Sequence, residues 1–311
     1  MPGGRARPPA RAPGRPPPRS GAPDVIELLQ LPLFQRALAA GLLAGIAGGV
    51  VGSLVVARRM ASISGGLAHA AFGGVGLGYL LGFDPLLGAA LFAVGCALAV
   101  GAVQLRLGTG IETLIAVAWA GGMALGMLFV ALAPGYAPDL MSYLFGSILL
   151  VPPGFLSAAA LLDAAVVAGA ILFYDELQAV SFDEDFARVA GVPASALHLG
   201  VLAAAALTVV LLIRIVGVIL VIALVTVPAA IARHWTATLK GTMIVAAGLG
   251  VALCEAGLLL AYAAGAATGA DVPAGPTIIL AGIGAFAASA AVRALTARRR
   301  DRAAFPAGGR R

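Results

Sequence analysis

Charge is the scarcest property of this sequence. Of 311 residues only 11% are Asp, Glu, Lys or Arg, against 61% that are hydrophobic, and the mean hydropathy is +1.02. Soluble domains carry about 25% charged residues, so the composition excludes an ordinary water-soluble globule and indicates a polytopic membrane protein. Cysteine is nearly absent. Cys96 and Cys254 both lie inside apolar stretches, which excludes a disulfide framework and a thiolate metal knuckle and leaves them as small core residues. Histidine occurs three times, at 69, 198 and 234. With no HExxH pair and no nucleophile beside a base, an intramembrane enzyme has no catalytic constellation to work with. A GxxxxGK[ST] phosphate loop is missing too, so any nucleotide hydrolysis belongs to another chain.

What is present is a succession of apolar runs. A hydrocarbon core of about 30 Å needs about 20 apolar residues per helix, and on that rule spans fall near 34–56, 66–82, 85–105, 113–133, 154–173, 197–213, 242–264 and 274–294. Two further apolar pieces, 139–151 and 216–232, are short or broken. The second holds Gly217 and Pro228, and irregular backbone at membrane depth is tolerated only under a cover of protein or water, so both are expected to be re-entrant. The fold class is therefore all-α, a bundle of about eight spans plus one or two short re-entrant helices.

The net charge of +6 is concentrated in tails and short links, which speaks for membrane orientation and against a nucleic-acid partner. Placing Arg58, Arg59, Arg106, Arg233, Lys240, Arg298, Arg299 and Arg300 in the cytoplasm gives one consistent threading of a multi-pass inner-membrane protein. The links "GFDP", "APGYAP" and "ATGADVPAG", without Lys or Arg, then face outward. Residues 1–24, rich in Pro, Gly and Arg, form a tail expected to be disordered. Its arginines fall on the wrong side of this threading, and the expectation is a true start nearer Val25. Residues 25–296 make the membrane domain and 297–311 a basic cytoplasmic tail.

Between the spans ending at 173 and starting at 197 lies the most acidic stretch, "YDELQAVSFDEDFARVAGVPASALH", with a cytoplasmic segment at about 175–195. Phe182, Phe186 and Val189 recur there at helical spacing, which predicts a short amphipathic helix stopped by Gly191 and Pro193. Aromatic residues on an acidic surface helix call for a soluble partner to cover them.

The stretch "SISGGLAHAAFGGVGLGYLLG" puts Gly66, Ala70, Gly74, Gly78 and Gly82 four apart, a small-residue stripe that lets a neighbouring backbone approach closely. His69 falls on an adjacent face with Gly73 and Gly76 and is expected to look across glycine into open space. Ionisable groups inside a span usually face a bundle interior or a water-filled path, and neutral imidazole suits divalent transition metals, so His69 is a candidate ion contact. Glu255, inside the span "VALCEAGLLLAY", is a candidate second contact, and Asp163 is similarly placed. Met123 and Met127 read as core packing, His198 and His234 as interfacial residues.

Five stretches in order resemble the integral membrane permeases of metal-ion ABC importers, the zinc, manganese and iron uptake family. They are "VVARRMASISGGLAHAAFGGVGLGYLLG", "MSYLFGSILLV", "FYDELQAVSFDEDFARVAGVP", "IRIVGVILVIALVTVPAAIAR" and "DVPAGPTIIL". The resemblance implies a type II ABC importer fold that works as a homodimer above two cytoplasmic ABC ATPase subunits. An extracytoplasmic binding protein would deliver the metal ion, with ATP used by the partner subunit and no permanently bound cofactor. Phe182, Asp183, Phe186, Ala187 and Gly191 would be contact or turn positions of the helix that docks on the ATPase. His69 matches the histidine of the family's D-x-L-[SA]-H motif, but Gly65 stands where the motif has its acid. Cobalamin or chelated-iron permeases are the neighbouring alternative, and an ion-coupled carrier a more distant one for which no inverted repeat is evident.

Overall fold

The structure is a computed structural model and describes residues 29–134, 148, 151 and 153–304. The N-terminal tail and, apart from 148 and 151, the apolar piece at 139–151 lie outside the described residues. Membrane-length helices are α1 (Pro32–Ala57), α2 (Ser62–Leu81), α3 (Pro85–Leu107), α4 (Ile111–Leu132) and α5 (Pro153–Leu172). Two short helices follow, α6 (Tyr174–Phe182) and α7 (Glu184–Val189), and then α8 (Ala194–Val216), α9 (Val218–Trp235), α10 (Leu239–Thr268) and α11 (Ala274–Ala304). No strand occurs among the described residues.

The links are short because the sequence stops and restarts helices efficiently. Gly82, Gly108 and Gly269 cap α2, α3 and α10 in the left-handed conformation that costs glycine little. In "GFDP", Pro85 opens α3 and the Asp84 side chain accepts the Leu86 and Leu87 amides at 2.7 and 3.3 Å, satisfying two of the donors every helix start leaves open.

Eight helices are long and apolar enough to cross a membrane: α1, α3, α4, α5 and α8 to α11. Two departures from the expected spans are informative. The piece at 216–232 is no broken or re-entrant fragment but the continuous helix α9, and the break falls just before it, at Gly217, with φ +83° and ψ +164°. Conversely α2, read as a span, is not among the eight. Its six glycines, two serines and His69 dilute its hydropathy, yet it is one of the most buried helices, facing protein where lipid contact is not required. The last helix also runs beyond 296, to Ala304.

Helices α1 and α2 form the centre. The first packs on α10, α9, α5 and α8, the second on α4 and α3 and also on α8 and α9. Bare backbone makes these contacts close. A Cβ on Gly45 or Gly49 would fall on the α10 backbone at Val251 or Ala247, and one on Gly52 on the Val225 carbonyl. The stripe on α2 divides between two neighbours. Gly66 and Ala70 face Ile115 and Gly122 of α4, whereas Gly74 and Gly78 face Gly88 and Pro85 of α3. Gly82 has nothing within 4 Å of a Cβ position; it serves the cap and not the packing stripe.

A Leu at position 74 would be driven into the Gly88 carbonyl. We expect Gly74→Leu to destabilise the bundle by about 1–3 kcal/mol, the range for overpacking, seen as a lower melting temperature in detergent. Gly82→Asn, which tolerates the left-handed cap, should melt close to the unaltered protein; equal melting of all three would remove the packing role of Gly74.

Candidate ion path and coupling surface

His69 sits in the second turn of α2, half-buried. It does not look into open space across Gly73 and Gly76, because those glycines are covered by Phe92, Gly122 and Gly126. Its ring stacks on Trp119 of α4, with centroids 4.3 Å apart and planes 23° from parallel. Nδ1 lies 2.8 Å from the Gly65 carbonyl. A carbonyl only accepts, so Nδ1 carries a proton, and in the neutral ring the lone pair is then on Nε2. A neutral imidazole so oriented is the form that ligates metals. Trp119 in turn directs its indole N–H at the Met123 sulfur, 3.2 Å away. Met123 is only half-buried and Met127 exposed, so these methionines line the outer side of α4 and are not core. Trp119 was not marked in the sequence; its separation of fifty residues from His69 leaves no local signal.

The position of the missing acid is roomy. A Cβ on Gly65 would meet only Ile222, with Cδ1 at 3.4 Å, an ordinary contact. Glu255 does not fill the vacancy in the motif. It lies on α10 against α1, with Oε1 2.9 Å from the Cβ position of Gly41 and beside buried Cys254. Helices α2 and α10 share no extensive contact among the described residues. His69 and Glu255 are thus not brought together within one chain, and no cluster of three or more His, Cys, Asp or Glu occurs among the described residues. Asp163 is 4% exposed, and neither of its oxygens has a hydrogen-bond partner among the described residues.

At the opposite end of the helices from Asp84, a cavity of about 560 Å³ is lined by the C-terminal ends of α1, α3 and α9, the N-terminal ends of α4, α8 and α10, and by α6 and α7. Those ends therefore share one side, as the charge pattern requires, and Arg58, Arg59 and Arg233 mark it as the cytoplasmic side. The acidic segment closes this side as two helices, not one. Asp183, with φ −149° and ψ +101°, breaks the run and caps α7 by accepting the Phe186 amide at 2.9 Å. Ala187 is buried against Val180 and Ala194 in a small core of its own, and Gly191 takes φ +85°. The break still leaves the apolar residues outward: Phe182, Phe186 and Val189 are 73%, 68% and 88% exposed.

Behind this surface Arg58 is buried, its side chain 7% exposed. One of its nitrogens, Nη2, donates to Glu184 at 3.2 Å and to His198 Nδ1 at 2.8 Å. His198 is accordingly not an interfacial residue but 2% exposed. Burial lowers the pKa of Arg58 from its ordinary value, against the pull of Glu184, yet a guanidinium remains charged at any working pH. His234 keeps a boundary position, bonded to Ser289 of α11.

The sequence profile described as the ABC 3 transport family matches residues 30–293. The chain belongs to this family. Among relatives of this ABC 3 chain, an uncharacterized membrane protein of Synechocystis is 44% identical over 80% of this chain and 88% of that protein. The manganese transport system membrane protein MntC of Listeria monocytogenes is 31% identical, covering 81% and 90% of the two chains. The solved structure of PsaBC from Streptococcus pneumoniae in complex with Fab aligns with a TM-score of 0.74 and 28% identity, over 85% of this chain and 93% of that one.

Because position 65 lies in the first turn of α2, where the helix dipole favours an anion, Gly65→Asp is expected to fold and to melt near the parent temperature. Gly76→Asp, whose Cβ would sit 2.5 Å from the Gly126 carbonyl, should melt several degrees lower. Similar losses in both would show that position 65 has no room for a side chain.

Proposed function

We propose that this ABC 3 chain is the membrane permease of an importer for a divalent metal ion, zinc, manganese or iron. It works as a homodimer with a separate cytoplasmic ATPase and receives the ion from an extracytoplasmic binding protein. The observation that carries this reading is the surface of α6 and α7, where three large apolar side chains stand exposed on the cytoplasmic side. Apolar area of that kind on a water-facing segment marks a protein contact. The names of relatives support the cargo: besides the Listeria protein, a probable metal transport system membrane protein of Chlamydia pneumoniae is 33% identical over 86% of this chain.

In this reading each group has a physical task. Phe182, Phe186 and Val189 fill hollows on the ATPase, Asp183 fixes the angle of α7 by its cap, and Ala187 and Gly191 set how closely the segment lies on α8. His69 offers Nε2 to the passing ion with its ring held by Trp119 and by Gly65. A lone neutral ligand binds weakly, which suits conduction, since the ion has to leave again. Glu255 would act as a separate contact on the α1 side of α10.

In cells that also express the ATPase and binding protein, ATP-dependent accumulation of one metal among zinc, manganese, iron, cobalt and copper is the expected result. Accumulation of none would turn the reading toward a chelated cargo. Phe186→Asp should abolish co-purification with the ATPase while the chain still inserts; unchanged co-purification would end the docking role. His69→Ala should lower metal uptake several-fold with normal amounts of folded protein, and uptake at the parent level would return His69 to a packing role.

A further inference from the structure

We propose that Arg58 is the positioning residue through which movement of the docking segment reaches the helices of the ion path. The proposal rests on the permease reading above. Four observations converge on it.

First, α7 is nearly detached from the bundle. Its buried residue Ala187 belongs to a small apolar core with Val180 and Ala194, separate from the main core. Second, Glu184 of α7 meets Arg58 across 126 residues of sequence, so the ion pair links the docking surface to the end of α1, the central helix. The same guanidinium reaches His198 near the start of α8. One guanidinium thus touches α1, α7 and α8, of which α1 and α7 share no extensive contact of their own among the described residues.

Third, Arg58 is held firmly from its own side. It is the C-cap residue of α1, and its amide donates to the Leu54 carbonyl at 3.1 Å. The chain then turns through Arg59, whose φ of +58° is the only positive value at a non-glycine residue among those described. Arg233 of α9 adds a bond from Nη1 to the Val56 carbonyl at 2.8 Å. A force on the guanidinium is therefore delivered to helix ends and not absorbed by a loose loop.

Fourth, the junction has somewhere to go. The Nη1 atom of Arg58, Nε2 of His198, Oε1 of Gln104 and Oγ of Ser181 are buried without hydrogen-bond partners among the described residues. All four residues line the same cytoplasmic cavity. Buried polar atoms without partners are costly, so the arrangement holds donors and acceptors ready for a second pairing, with Gln104 available to a guanidinium released from Glu184. Two discrete pairings of one charged group are what a mechanical switch needs.

The test uses the complex of the chain with its ATPase and binding protein in proteoliposomes. It compares Arg58→Gln, Glu184→Gln and the double variant for assembly, ATP hydrolysis and metal uptake. Each single variant is expected to assemble and hydrolyse ATP while uptake per ATP falls about tenfold, and the double variant to lose no more than either single, as for residues acting as one pair. Parent-level uptake per ATP in both singles, or fully additive losses, would overturn the proposal. Should a variant fail to assemble, hydrogen exchange on the unaltered complex decides. ATP must change protection at 184–189 and at 55–60 together, and a change confined to 184–189 would overturn it. An unaltered complex that moves no metal would instead refute the permease reading.

Discussion

In a bilayer the lipid tails are as apolar as the side chains, so helices gain little from hydrophobic burial against one another. What this bundle depends on is the approach of backbone to backbone. Glycines 45, 49 and 52 bring α1 onto α10 and α9, and glycines 74 and 76 bring α2 onto α3 and α4. Dispersion between closely set main chains is small per atom and large in sum. The same closeness explains why α2 carries so little bulk around its histidine. The turns that follow it are bare where they meet Phe92 of α3 and Gly122 and Gly126 of α4.

The polar groups follow from that packing. Once α1 and α2 are fixed at the centre, the link between them, residues 58–61, is held at the cytoplasmic end. The Arg58 side chain, 7% exposed, then needs partners at the edge of the cytoplasmic cavity. Glu184 and His198 supply them. Glu255 and Asp163, by contrast, sit on helices against α1 and are carried by surroundings that offer them few donors. The chain therefore keeps its polar investment at two levels, one beneath the docking segment and one scattered through the spans.

Much of this architecture was legible in the residues, because long apolar runs, Arg-bearing links and the GFDP restart act locally. Most of the failures depended on distance in space, although the cap at Asp183 is a local one. Gly217 and Pro228 together implied a broken piece, but a proline inside α9 is carried while neighbours cover the helix, and only Gly217 interrupts it. The spacing of Phe182, Phe186 and Val189 implied one helix, yet Asp183 prefers to cap and split it. The stripe on α2 looked single because periodicity assigns a face without saying how many neighbours share it. His69 with Trp119, and Arg58 with Glu184, join segments far apart in sequence, and no pattern within a segment could disclose them.

The one-residue connection at Gly217 has a mechanical meaning. The foot of α8 and the far end of α9 line the same cavity, so the two helices run antiparallel, with Gly217 at their apex. Val216, Gly217 and Val218 are buried there, and Val218 shares a narrow apolar gap with Ala68, Ala71 and Val75 of α2. A turn with a single residue has no slack, so the hairpin behaves as a stiff lever. The 23 residues of α8, at about 1.5 Å each, make an arm of roughly 34 Å. A tilt of about 5° at its foot carries the apex roughly 3 Å along the flank of the helix that bears His69.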